Sequence, residues 1–228
     1  MSPVVAVLRF AAAAVAGYLL GSTPSGVVVG RIFGNVDPRA SGSGKTGATN
    51  VLRTLGPGPA ALVVAMDAGK GVAAVLLARY LFMPLGPDVT PNMRGWAEAV
   101  AGFAALLGHN FSVFIRFTGG RGVATGGGIC LAMNPLAVAC GAAAMVVPIA
   151  TTRYVSLGSI AAASVTALVD VVLTVAGHDI APHAVFMVCG ASFIIYSHRD
   201  NIQRLLSGTE RKLGSKGAVT SSRSESHE

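Results

Sequence analysis

Apolar residues run along this chain in long blocks, separated by shorter polar stretches rich in glycine and basic side chains. The blocks are Val4–Val29, Ala60–Phe82, Trp96–Phe114, Gly122–Met133, Pro135–Ala150, Leu157–Ala176 and Pro182–Tyr196. An α-helix needs about 20 residues to cross the hydrocarbon core of a bilayer. The first, second, third and sixth blocks reach or approach that length. The fourth and fifth are shorter and are divided by Asn134-Pro135. They form either two short tilted helices or one re-entrant pair, and both versions return the chain to the same side. The pattern predicts an all-α polytopic membrane protein, a bundle of about seven transmembrane helices.

Composition strengthens that expectation. Hydrophobic residues make up 52% of the chain and charged residues only 12%, against about 25% charged in a soluble domain. So few charges could not cover a globular surface, so lipid must do the covering. The 29 glycines suit membrane helices whose backbones approach closely. The first apolar run continues to Val29, too long for a cleaved signal, and reads as a first span. Cys130, Cys140 and Cys189 show no pairing or metal spacing and read as small buried hydrophobes.

The net charge of +7 is unevenly placed. Basic residues collect at Arg31–Arg53, at Arg116–Arg121, at Arg153 and from Arg199 onward. In so apolar a chain this marks cytoplasmic loops beside anionic membrane lipid, and no nucleic acid is expected. The stretches Pro84–Gly95 and Gly177–His183, poor in Lys and Arg, then face out. The N-terminus is expected outside and the C-terminus in the cytoplasm, with Arg9 and Arg94 as mild exceptions. Residues 1–213 form a single domain on this reading, and residues 214–228 a disordered polar tail. A monomer is expected.

Unusual chemistry sits in the cytoplasmic loops. In Gly42-Ser43-Gly44-Lys45-Thr46-Gly47-Ala48-Thr49-Asn50, ending at Arg53, glycines can turn several backbone N–H groups into one concavity that attracts anions. Two nucleotide signatures are excluded. The Gly42-x-Gly44-x-x-Gly47 spacing follows a membrane span and not a strand, and a Walker A reading would require glycine where Arg39 stands. The second loop runs from His109 to Gly119-Gly120-Arg121-Gly122, which would place a cation and backbone donors at a helix N-terminus. The loop at Arg153 looks bland, with Ser156 a candidate helix cap. The segment from His198 to Lys212 has the apolar face of a short interfacial helix. Asp67 and Lys70, one turn apart inside the second block, can pair. They serve either as a structural support of the first loop or as a substrate contact.

Several of these stretches together resemble the bacterial acyl-phosphate:glycerol-3-phosphate acyltransferases, the PlsY family. The resemblance rests on Ser43-Gly44-x-x-Gly47-Ala48-Thr49-Asn50-x-x-Arg53, Gly108-His109-x-Phe111, and Phe117-x-Gly119-Gly120-Arg121-Gly122-Val123-Ala124-Thr125. Tyr154-Val155-Ser156-Leu157-x-Ser159, Asp67-x-x-Lys70-Gly71 and Asn201-Ile202-x-Arg204-Leu205-Leu206-x-Gly208-Thr209-Glu210 extend it. The family usually has Asn where Lys45 stands and Lys where Arg121 stands.

The resemblance implies transfer of an acyl group from acyl phosphate to the sn-1 hydroxyl of glycerol 3-phosphate, giving 1-acylglycerol 3-phosphate and phosphate. It implies a multi-pass protein of the bacterial inner membrane, with the site on the cytoplasmic side. An acyl phosphate is already activated, so no cofactor or metal is expected. Ser43, Arg53, His109 and Asn201 are the expected catalytic residues. Ser43 would polarise the carbonyl, Arg53 and Arg121 hold phosphate, and Asn201 orient the glycerol hydroxyls. Either His109 or a substrate phosphate oxygen would take the hydroxyl proton. Gly42, Gly44, Lys45, Gly47, Thr49, Asn50, Gly119, Gly120, Arg121, Gly122, Ser156 and Glu210 are the expected binding residues, with Glu210 bracing the basic loops. A small-anion transporter is the alternative; the absence of paired inverted halves in the hydropathy speaks against it.

Overall fold

The computed structural model describes residues 1–84 and 86–214. Apart from Gly214, the tail expected to be disordered lies outside the described residues. The chain is helical almost throughout: α1 Pro3–Ser22, α2 Ser25–Gly34, α3 Ala48–Leu55, α4 Pro57–Leu77, α5 Pro91–Asn110, α6 Val123–Met133, α7 Pro135–Thr152, α8 Val155–Val175, α9 Ala181–Ser197 and α10 Arg199–Leu206. Among the described residues, β-structure is limited to two isolated bridges, Gly86 with Val89 and Ser112 with Thr118.

Among the described residues, four stretches are long and apolar enough to cross a membrane: Pro3–Gly34, Pro57–Phe82, Pro135–Thr152 and Val155–Val175. Helices α6 and α9 are apolar but shorter. The exterior of the bundle is greasy, with Val7, Val147, Leu168 and Val172 exposed, while Asp67, Lys70, Glu98 and Asp170 are buried. That inversion of the usual soluble pattern is what a lipid surround requires.

The first block, expected as one continuous span, is broken. Helix α1 stops at Ser22 and α2 starts at Ser25. Pro24 supplies no backbone N–H and biases Thr23 away from the helical region, so the ladder cannot run through. The Thr23 carbonyl freed by this break accepts a hydrogen bond from Lys70 Nζ at 2.8 Å. Asn134 divides the fourth block from the fifth, and its side chain caps α7 by accepting the N–H of Ala137. Helix α6, with 11 residues, rises about 16 Å at about 1.5 Å per residue and reaches only partway through a bilayer core.

Helices pack in close pairs, α1 along α5, α4 along α6 and α7 along α8. Glycine makes these approaches feasible at specific points. A Cβ at Gly21 would overlap the Ala105 carbonyl, and one at Gly128 would overlap the Ala68 carbonyl. The resulting frame carries two polar clusters at opposite ends. At the end formed by the start of α5 and of α9, Glu98 binds Arg79 through two contacts of 2.8 and 2.9 Å and His183 at 3.1 Å. Asn134 there bridges Asp170 and Asp179 at 2.8 and 2.7 Å. The other end gathers the loops singled out from the sequence.

Candidate active site

The backbone of the first loop is folded around one buried amide. Asn50, 2% exposed, donates through Nδ2 to the carbonyls of Pro38, Ser41 and Lys45 at 2.6, 3.1 and 2.9 Å. Its Oδ1 accepts the N–H of Ser43 at 3.1 Å. Gly42 and Gly44 have φ of +62° and +67°, a region that glycine enters without strain. The loop then feeds α3 through Gly47, with no side-chain cap on that helix.

Helices α6 and α8 also begin without a side-chain cap. Residues at the starts of all three helices, Gly47-Ala48-Thr49, Gly122-Val123-Ala124 and Val155-Ser156, line one cavity of about 440 Å³. Uncapped N-termini leave backbone N–H groups and the positive ends of helix dipoles facing a common space, which favours anions. The volume falls within the range of about 300–1,000 Å³ usual for small-molecule sites.

Ser43, Arg53, His109 and Asn201, far apart in sequence, all line this cavity, as do Gly42, Lys45, Gly47, Thr49, Asn50, Arg121, Gly122, Ser156 and Glu210. Gly44, Gly119 and Gly120 do not. Gly119 and Gly120 instead pack against His109: a Cβ on either would overlap the His109 carbonyl or its Nε2. Gly120 lies against the imidazole and Gly119 against the His109 and Asn110 carbonyls, and neither lines the cavity. Asn50 lines the wall, but its amide is consumed by the loop, so it organises the site and is not a free donor.

Glu210 ties the C-terminal segment to the site. Its Oε1 accepts from Ser156 Oγ at 2.7 Å and from Asn201 Nδ2 at 2.6 Å, and its Oε2 from Arg204 Nε at 2.8 Å. Burial opposes its charge, yet these three donors hold the carboxyl below the usual range. Asn201 thereby directs an N–H to Glu210, while its buried Oδ1 has no partner among the described residues. Arg53 Nε is likewise buried without one. Buried polar groups are nearly always paired, so such atoms facing a cavity mark where a ligand completes the network.

The decisive feature is a surplus of positive charge. Glu210 is matched by Arg204, Asp67 by Lys70 at 2.8 Å, and the exposed Asp200 lies 4.0 Å from Arg199. Among the described residues, Lys45, Arg53, Arg121 and Arg211 line the cavity with no carboxylate within ion-pair distance. Burial, then the nearby Arg211, pulls Arg53 below the usual guanidinium range, and burial, then Arg204, does the same to Arg121. Such crowding of like charge in a partly buried space is relieved by binding anions.

Two side chains gain meaning only from the structure. His198, 2% exposed, lines the cavity and donates Nδ1–H to the Ile194 carbonyl at 2.8 Å; burial is the main force depressing its pKa. Arg211 lies just beyond the motif that carries the resemblance. Asp67 and Lys70 form the expected pair, at 2.8 Å. Lys70 supports the α1–α2 break, whereas Asp67 lines the cavity with Oδ1 3.5 Å from His109 Nδ1.

The family model described as glycerol-3-phosphate acyltransferase matches residues 11–208. The chain belongs to the glycerol-3-phosphate acyltransferase family. A relative in this family, the glycerol-3-phosphate acyltransferase of Trichormus variabilis, is 43% identical over 212 residues, covering 90% of this chain and 92% of its own. Crystal structures of PlsY, an integral membrane glycerol 3-phosphate acyltransferase, are similar in its glycerol 3-phosphate form (TM-score 0.77) and its lysophosphatidic acid form (TM-score 0.76). Both are 35% identical to this chain and cover 90% of it, and 96% and 95% of their own lengths. Membership accounts for a membrane-embedded acyltransferase fold whose loop motifs, scattered in sequence, converge on one anion-suited cavity.

Proposed function

We propose that this glycerol-3-phosphate acyltransferase takes its acyl group from an acyl phosphate and passes it directly to the sn-1 hydroxyl of glycerol 3-phosphate. The hydroxyl oxygen attacks the acyl carbonyl carbon, the bond from that carbon to the phosphate oxygen breaks, and inorganic phosphate leaves. The product is 1-acylglycerol 3-phosphate. The observation that carries this reading is the set of four unmatched cations, Lys45, Arg53, Arg121 and Arg211, on one cavity. The phosphate monoester of glycerol 3-phosphate and the terminal phosphate of the acyl phosphate carry together about three to four negative charges at neutral pH, which these cations can balance.

Ser43 and the N–H groups of its loop stabilise the developing oxyanion; one such donor is typically worth about 10²–10³ in rate. Arg53 and Arg121 hold phosphate, and Asn201 presents Oδ1 to a glycerol hydroxyl. His109 has Nδ1 toward Asp67 and Nε2 against Gly120. With both ring nitrogens turned to protein, His109 shapes the wall, and the hydroxyl proton passes to a phosphate oxygen of the substrate.

The same reading takes the chain as one catalytic domain over residues 1–213, active as a monomer. It has about seven membrane segments, its N-terminus outside, and the cavity at the cytoplasmic side of a bacterial inner membrane. Lys45, Arg53, Arg121, Arg204 and Arg211, which line the cavity, support that orientation. Purified protein given radiolabelled glycerol 3-phosphate and either palmitoyl phosphate or palmitoyl coenzyme A tests the donor. Product is expected with the acyl phosphate alone. Product only with the thioester would refute the proposal.

A further inference from the structure

The last described residues do not trail away from the bundle. After α10, Thr209 and Glu210 donate their N–H groups to the Arg204 carbonyl at 2.8 and 3.1 Å, which turns the chain back toward the cavity. The Arg211 carbonyl then accepts Arg53 Nη2 at 3.4 Å. Two bonds to a single residue of the α7–α8 turn secure the far end. Leu213 N–H donates to the Arg153 carbonyl at 2.7 Å, and Arg153 Nη2 donates to the Leu213 carbonyl at 2.6 Å. Lys212 Nζ sits 5.7 Å from the centroid of the Tyr154 ring. Residues 208–213 thus form a strap across the cavity rim, carrying Glu210 and Arg211.

Arg153 is unusual in its own backbone. It caps α7 with φ +64°, a left-handed conformation that a non-glycine residue adopts at a cost. In that conformation it offers its carbonyl and its guanidinium to the same residue of the strap. A residue chosen only to end a helix would be glycine.

We infer that Arg153 is a positioning residue for acyl transfer, a latch that holds the 208–213 strap so that Glu210 keeps Asn201 and Ser156 in register and Arg211 stays over the anion site. This rests on the proposed acyl-phosphate reaction for its functional half; the latch itself is a structural claim that can be read independently. Because Asn201 is assigned to the glycerol hydroxyls, loosening the strap weakens the hold on glycerol 3-phosphate more than it changes the chemical step.

The test compares the full-length parent with Arg153→Gly and Arg153→Lys in detergent micelles. Glycine accepts the positive φ, so Arg153→Gly removes the side chain without backbone strain. Hydrogen exchange of the 209–213 amides should rise about tenfold in Arg153→Gly while α4–α6 stay protected. The KM for glycerol 3-phosphate should rise about five- to tenfold with kcat within about twofold. Arg153→Lys, which keeps one donor, should recover part of both. Unchanged exchange in Arg153→Gly would overturn the latch, and raised exchange with an unaltered KM, or a loss confined to kcat, would overturn the positioning role. Should the parent itself fail to use acyl phosphate, the proposed reaction falls, and the exchange result still decides the latch.

Discussion

Asn50 Oδ1 accepts the backbone N–H of Ser43 at 3.1 Å, so the residue expected to polarise the acyl carbonyl is held by an amide that never needs to touch substrate. Replacing Asn50 with Asp swaps an NH2 group, whose two hydrogens are shared among the carbonyls of Pro38, Ser41 and Lys45, for an acceptor facing those carbonyls. Each buried group left unpaired costs about 1–3 kcal/mol. Asn50→Asp is therefore expected to lower thermal stability and to reduce acyl transfer about as much as Ser43→Ala. A stable, near-normal Asn50→Asp enzyme would contradict the assignment.

Ser43→Ala should fold normally, since its hydroxyl makes no hydrogen bond among the described residues, yet lose about 10²–10³ in kcat if Ser43 supplies an oxyanion donor. Unaltered kcat in a folded variant would place the oxyanion elsewhere.

The unmatched cations give a charge-specific expectation. Arg121→Gln should raise the KM for phosphorylated substrate about tenfold, and Arg121→Lys should lose less, because the charge remains although the planar fork does not. Relief of like-charge crowding among Arg53, Arg121 and Arg204 should leave Arg121→Gln at least as thermally stable as the parent when no substrate is bound. A binding residue that stabilises the empty protein would behave in the opposite way.

Two groups lining the cavity contribute to the acid dependence. Glu210 has a lowered pKa in the fold, so its stabilising charge is fully present above the ordinary carboxyl value of about 4.3 and is lost only as pH falls below it. His198 is also lowered; the fold favours its neutral form, and that contribution is complete above about pH 6.5 and lost as pH falls further. Between pH 7.5 and 5 the melting temperature of the parent should therefore fall relative to that of His198→Asn, whereas Glu210 should not titrate within that window. Parallel slopes in parent and His198→Asn would remove His198 from the explanation.

Much of this arrangement is legible in the sequence. Apolar blocks marked the long helices, and glycine-rich basic loops marked the cavity, because both signals are local in sequence. The break at Thr23-Pro24 was written in the chain but masked by the apolar residues flanking it. Other features depend on which ends meet. Nothing around His198 distinguishes it from a structural histidine until α9 delivers it beside Arg121 and Asn201. Gly119 and Gly120 looked like anion donors, yet their task is close approach to His109, which only packing reveals. Arg79 and Glu98, 19 positions apart, form their buried pair at the opposite end of the bundle through the approach of α4 to α5, a contact that no motif announces.

The central claim is that both phosphorylated substrates occupy one cavity together and react without an acylated enzyme. Initial rates measured across a grid of acyl phosphate and glycerol 3-phosphate concentrations address it most directly. Double-reciprocal lines that intersect, with no exchange of radiolabelled phosphate into acyl phosphate when glycerol 3-phosphate is omitted, are the predicted result. Parallel lines accompanied by that exchange would show a covalent acyl-enzyme and contradict the account.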